Sequence, residues 1–232
     1  MKNYSLTIKI FFVLSCSFSF LIFNYALTSA QTAPRILASW RAINYTPSDF
    51  QGKIFPVKNT PVEVGVHLLD QGKLVNLKPY EIRWYLDGAL IKSGKGLQTI
   101  TFAAMRSNNA HSLKVRILDY KNAAPEALLD IPVKTPRAVI TSFNPKKQVS
   151  VGLNNFQALP YFFNIASLND LNFTWSSDGK PITGAFINPS ILNLNIASEG
   201  MPIETKINVS AFVQNRKNPI EAATGNTTII VK

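Results

Sequence analysis

The side chains in this sequence that could carry chemistry are few and far apart. A hydrolytic zinc site needs imidazole, thiolate or carboxylate ligands brought together by short spacing. Here the two histidines, His67 and His111, belong to different segments, and neither a His-Glu-x-x-His helix nor a cysteine pair is present. His67 follows Val66 out of phase in an alternating run and is expected to face solvent, and His111 is expected in a polar loop before its strand. Among the carboxylates, Asp87 and Asp178 stand out because each precedes a glycine (Gly88, Gly179) in a similar context. A turn aspartate bonding to its own backbone accounts for both without a catalytic role. No stretch matches an acidic calcium loop. A glycosidase pair would need carboxyl groups about 5 to 10 Å apart, and no motif holds two together. Gly94-Lys95-Gly96 lacks the spacing and strand-to-helix context of a phosphate loop. The sequence therefore gives no catalytic residue, no metal-ligating set and no cofactor-binding motif, and a nucleotide cofactor is not expected.

Recognition chemistry is more concentrated. The segment WRAINYTPSDFQGKIFP (40–56) gathers Trp40, Arg41, Tyr45, Phe50 and Lys53, with Phe55 and two prolines. Aromatic residues with Arg are favoured at protein interfaces. Two readings follow: a binding edge, or a plug over the open end of a β-domain. ALPYFFNI (158–165) poses the same choice, since Tyr161 and Phe163 alternate with Phe162 and both faces could be buried between sheets or modules. The Asn-x-Ser/Thr sequons at Asn44, Asn172, Asn208 and Asn226 are expected by frequency in an Asn-rich chain, and Asn172 and Asn208 fall in predicted strands.

The elements that must position these residues are strands. Tyr80, Ile82, Trp84 and Leu86 recur at every second position, so a strand puts them on one face and Glu81, Arg83 and Tyr85 on the other. Asp87-Gly88 then turns the chain. Thr99 to Ala103, Ser112 to Tyr120 and Leu128 to Val133 read as further strands, with Val62, Val64 and Val66 upstream. The order recurs: Tyr161 to Ile165 upstream, then Leu171, Phe173 and Trp175, the Asp178-Gly179 turn, Ile191 to Ile196, Lys206 to Val213 and Thr227 to Val231. Each half carries a tryptophan strand followed by Asp-Gly and two alternating strands, which points to duplication. The fold class is all-β, with two tandem β-sandwiches at 31–135 and 136–232, divided where Pro136 interrupts pairing. Trp84 and Trp175 are assigned to the two cores.

Composition agrees with this. The 232 residues are 46% apolar and 16% charged, with abundant Asn, Ser and Thr, as suits strands with uncharged outer faces. Residues 1–30 read as a secretory signal peptide: Lys2 and Lys9, an apolar stretch, then Thr28-Ser29-Ala30 before Gln31. The stretch from Ile8 to Leu27 is also long enough to serve as an uncleaved membrane-anchor helix, the only membrane contact expected. Cys16, the single cysteine, lies within it, in a weak lipobox context. The remaining chain can form no disulfide, so its cores rest on apolar burial. Without Lys2 and Lys9, 22 basic residues face 13 acidic ones, a net charge of +9. That balance favours anionic polymers, although the basic residues are spread without a run.

The Trp-x-x-Asp-Gly turn followed by a late alternating strand resembles the PKD and bacterial immunoglobulin-like superfamily of extracellular modules. WRAINYTPSDFQGKIFP, Trp84 with Ser93-Gly94-Lys95-Gly96, and Ala158 to Phe163 resemble exported tandem immunoglobulin-like proteins of candidate-phyla bacteria of the Parcubacteria type. The second half lacks the Ser-Gly-Lys-Gly continuation and the first lacks a counterpart of Ala158 to Phe163. The resemblance implies a non-enzymatic, extracytoplasmic structural or adhesive module pair with protein partners in the cell envelope, in the setting of a pilus or other surface assembly. The alternative is a basic binding protein for anionic polysaccharide, peptidoglycan or DNA.

Overall fold

The computed structural model describes residues 33–106, 109–142, 148–184, 187–197, 202 and 204–232. The signal or anchor segment, with Lys2, Lys9 and Cys16, lies outside them.

Among the described residues every regular element but one short 3-10 turn at Leu168–Asp170 is a strand. The first half opens with β1 (Arg35–Ala42), β2 (Pro61–Asp70) and the two-residue β3 (Lys73–Leu74). Then come β4 (Glu81–Leu86), β5 (Ala89–Lys95), β6 (Thr99–Ala103), β7 (Ala110–Ile117) and β8 (Glu126–Pro132). One sheet is β1-β2 with β6 and β3 also on β2; the other runs β5-β4-β7-β8. Period-two alternation turns Val62, Val64, Val66 and Leu68 inward from β2 to meet Ile82 and Trp84 of β4 and Leu113, Val115 and Ile117 of β7.

The second half repeats the plan. It comprises β9 (Arg137–Ser142), β10 (Gln148–Val149), β11 (Gly152–Tyr161), β12 (Leu171–Ser177), β13 (Lys180–Pro181), β14 (Ile191–Ile196), β15 (Lys206–Asn215) and β16 (Ala222–Val231). Its sheets run β9-β11-β14 and β13-β12-β15-β16, with β10 added in parallel on β16. Strand for strand, β1-β2-β6 corresponds to β9-β11-β14, and β5-β4-β7-β8 to β13-β12-β15-β16. This is the immunoglobulin-like sandwich, with its tryptophan on the third main strand of each copy. The two cores share no residue: one draws on Val62 to Val133, the other on Ile140 to Val231.

Two local expectations need correction. The strand upstream of the second tryptophan is Gly152–Tyr161, not Tyr161 to Ile165, because Phe162 takes a left-handed φ of 65° that ends it. His111 is no loop residue: it lies inside β7 and is buried.

Candidate binding surfaces

The duplicated core is built to one recipe in both halves. Trp84 and Trp175 are fully buried, and each indole N–H still finds a carbonyl: Trp84 Nε1 donates to Leu97 O at 2.9 Å and Trp175 Nε1 to Pro189 O at 2.9 Å. A buried tryptophan without that acceptor would carry an unsatisfied donor. The turns match as well. Asp87 and Gly88 have φ of 51° and 88°, Asp178 and Gly179 of 47° and 76°, the paired positive values that fit the twist of a two-residue hairpin.

The turn aspartates reach beyond their own backbone. Asp87 N donates to Ser112 O at 2.8 Å while Ser112 N donates back to Asp87 Oδ1 at 3.0 Å. Asp178 N donates to Asn208 O at 2.8 Å, and Asn208 N to Asp178 Oδ1 at 2.9 Å. Each aspartate thus clamps its hairpin to the neighbouring long strand. In the first half the carboxylate also holds His111 Nδ1 at 2.7 Å and Arg106 Nε at 3.1 Å. Burial alone would raise the Asp87 pKa, but the Ser112 N–H, His111 and Arg106 together hold it below its ordinary value. His111 Nε2 accepts from Met105 N at 3.1 Å, so its second ring nitrogen is occupied by backbone. An Asp-His pair arranged this way orients a loop and offers no open base for proton transfer. His67 lies on the exposed face of β2. Among the described residues no group of three or more His, Cys, Asp or Glu converges as a metal site.

The aromatic segment meets the other half of the chain. Tyr45 N donates to Phe163 O at 2.7 Å and Phe162 N to Tyr45 O at 2.8 Å, an antiparallel bridge between the two sandwiches. Phe50 packs edge-on against Tyr161 at 5.5 Å and Phe162 at 5.8 Å, and Phe55 against Phe162 at 6.0 Å. That packing is what holds Phe162, a non-glycine residue, in its left-handed conformation. Burial raises the pKa of both the Tyr45 and Tyr161 hydroxyls, with Asp49 adding to the rise at Tyr161. Tyr45 and Phe50 are therefore contacts within the chain rather than an open surface. Trp40 sits at the edge of this cluster, its ring 3.8 Å beneath Lys53 Nζ, which also donates to Trp40 O at 2.6 Å. Arg41 remains at the surface, paired with Glu63 at 2.7 Å.

A polar network runs beside the aromatic one. Thr60 Oγ1 donates to Asn164 Oδ1 at 2.6 Å, and Asn164 Nδ2 to Lys58 O at 2.9 Å. Asn164 N donates to Glu221 Oε1, and the other oxygen of that buried carboxylate accepts from Asn215 Nδ2 at 2.8 Å. The linker joins in through Lys134 N, which donates to Pro56 O at 2.8 Å. An adjoining cleft of about 280 Å³ is bounded by Lys58 and Asn59, by Lys134 to Pro136, and by Ile220 and Glu221. The sequence showed both aromatic runs but not their pairing, because contacts between residues this far apart leave no periodic trace in the chain.

No protein-family model matches the chain, and no curated protein matches it either. Solved structures resemble it at low identity. Three N-terminal domains of the bacteriophage RB49 highly immunogenic outer capsid protein align at 13% identity and a TM-score of 0.44, over 86% of this chain and 59% of that one. Red sea bream transglutaminase aligns at 12% identity and a TM-score of 0.35, over 85% of this chain and 31% of that one, and murine CEACAM1b at 12% identity and a TM-score of 0.33. For CEACAM1b the shares are 84% of this chain and 99% of that one. The chain thus spans less than two thirds of the phage protein's aligned structure and about a third of the transglutaminase.

Proposed function

We infer that the chain is a non-enzymatic, exported module pair that serves as a structural or adhesive part of a bacterial surface assembly, with residues 1–30 as its export signal or anchor. The observation that carries this reading is the clasp at the junction. The bridge between Tyr45 and Phe163 and the hydrogen bonds through Asn164 tie the two sandwiches together, as a load-bearing spacer requires. The pair so joined presents its outer sheet faces and edges to partners, while the buried His111 beside Asp87 has its second ring nitrogen closed by backbone. The resemblance of the N-terminal and tryptophan motifs to exported proteins of candidate-phyla bacteria, and the pilus setting, belong to the same proposal.

The test is capture from the native cell envelope with the full chain as bait, at low and high salt, with protein, glycan and nucleic acid all identified. A defined envelope or pilus protein that survives high salt supports the assembly reading. Recovery of anionic polymer alone, lost at high salt, transfers the function to the net positive charge.

A further inference from the structure

The outward faces of the two equivalent sheets differ in kind. In the first sandwich the exposed rows of β4, β7 and β8 set Arg83 beside Arg116 and Arg116 beside Glu126, with Tyr85 beside Lys114. In the second, the matching grid of β12, β15 and β16 is Asn172 and Gln214; Thr174, Phe212 and Thr224; Ser176, Ser210 and Asn226; and Asn208 with Thr228. No residue of these rows is charged; Lys206 and Arg216 lie at their ends, and Arg216 Nε reaches back to donate to Asn172 Oδ1 at 2.7 Å. In a protein of net charge +11 this uncharged face is a local exception.

Three of the four sequons fall here. Because side chains alternate, Asn-x-Ser/Thr in a strand puts the amide and the hydroxyl on one face, two residues apart. Cross-strand bonds then fix the amides: Ser210 Oγ donates to Asn226 Oδ1 at 2.6 Å, and Thr228 Oγ1 to Asn208 Oδ1 at 2.7 Å. Each leaves its amide nitrogen as a donor with no protein partner among the described residues. Gln214 Nε2 is likewise committed to Pro219 O at 2.9 Å, which leaves Oε1 to accept. At the centre stands Phe212, 40% exposed between two threonines. A groove of about 440 Å³ runs over it, with Thr174, Gln214, Arg216 and Pro189 on its walls.

We propose that this face binds an uncharged polysaccharide, with Phe212 as the ring on which a pyranose stacks and the oriented amides and hydroxyls reading its hydroxyl groups. Sugar hydroxyls both donate and accept, and the C–H face of a pyranose is apolar. A shallow, amide-rich groove with one central aromatic ring is complementary to both properties, and prior orientation of the amides lowers the entropy lost on binding. The rows themselves offer a polyanion no cation, and Arg216 at the groove wall has its Nε committed to Asn172 Oδ1. The proposal relies on the exported-module reading only for access to such a polymer; the binding itself does not.

The test is affinity electrophoresis of the full chain in gels containing a neutral β-glucan, α-glucan or galactomannan, with a polyuronate gel and DNA as anionic controls. At least one neutral polymer should retard the protein, and retardation should persist in about 0.5 M salt, where charge interactions are screened within a few ångströms. Phe212→Ala should weaken it about tenfold, as the loss of one stacking contact would, with the unfolding midpoint little changed because the ring is already exposed. Thr224→Glu, which places a carboxylate beside the ring at another exposed position, should weaken it equally. Absence of retardation by every neutral polymer, retardation unchanged in both variants, or binding confined to the anionic controls would each overturn the proposal. Absence of the protein from the cell exterior would instead sink the exported-module reading and leave this binding result standing.

Discussion

Thr60 and Asn164 belong to different sandwiches, and a 2.6 Å hydrogen bond joins their side chains at a fully buried threonine. The same Thr60 oxygen accepts from Val57 N at 2.9 Å, so one hydroxyl ties its own loop and the neighbouring module at once. Asn164→Ala removes the acceptor for Thr60 and the donor to Lys58 O, a loss of about 1 to 3 kcal/mol where the partners stay buried. Calorimetry should then show coupling weaken: one transition in the parent protein and two resolved transitions in the variant. Two independent transitions already in the parent would mean that the clasp positions the modules without coupling their stability.

The tryptophans fill separate cores, and in a pair that unfolds as one unit the loss of either should lower the shared transition. Trp84→Ala and Trp175→Ala each empty a fully buried site and should cost about 3 to 5 kcal/mol. Trp84→Phe and Trp175→Phe separate volume from polarity. They keep most of the ring but strand Leu97 O or Pro189 O, at about 1 to 3 kcal/mol each. Urea unfolding followed by circular dichroism measures the loss, and a second transition appearing in either variant would show that the two modules unfold separately.

These positions also mark how far the sequence could be read. Strict period-two alternation with an Asp-Gly turn made both tryptophan strands, both hairpins and the β-sandwich class legible, because each depends on neighbours in the chain. The start of strand β11 is not legible because its first residues, Gly152 to Asn155, bury no side chain and even leave Leu153 exposed, so alternation carries no core signal there. His111 was misread because nothing local distinguishes a loop histidine from one buried against Asp87. The amide-rich face was visible only as scattered sequons; their alignment depends on register between β12, β15 and β16, which no single strand contains.

Asp87 should make part of the stability acid-sensitive. Its folded pKa lies below its unfolded value of about 3.9, so the ionised carboxylate stabilises the fold above that pH. The contribution is lost as pH falls through the folded value. Asp87→Asn should therefore lower the urea midpoint at neutral pH, and the gap to the parent protein should narrow as the solution is taken below that window. Asp70 and Asp170, lowered chiefly by their hydrogen bonds to Lys121 and Lys217, act with the same sign and leave an acid limb in the variant. A gap that stays constant with pH would assign the clamp to geometry alone.

Glycines in the second sandwich should respond in opposite ways to the same replacements, because different constraints hold them. At Gly179, φ is 76° and a Cβ would meet nothing within 4 Å, so the cost of Gly179→Ala is conformational, about 1 to 2 kcal/mol. Asparagine tolerates that conformation, and Gly179→Asn should recover part of the loss. Gly225 is different: a Cβ there would lie 2.8 Å from Ala138 O and 3.0 Å from Ala138 C, against the backbone of β9 where β16 closes on it. Gly225→Ala must push the strands apart, at about 1 to 3 kcal/mol for overpacking. The larger Gly225→Asn should cost more than Gly225→Ala, the reverse of the order at Gly179. Equilibrium unfolding of the four variants decides it, since only close approach of β9 and β16 makes the penalty at residue 225 grow with side-chain size.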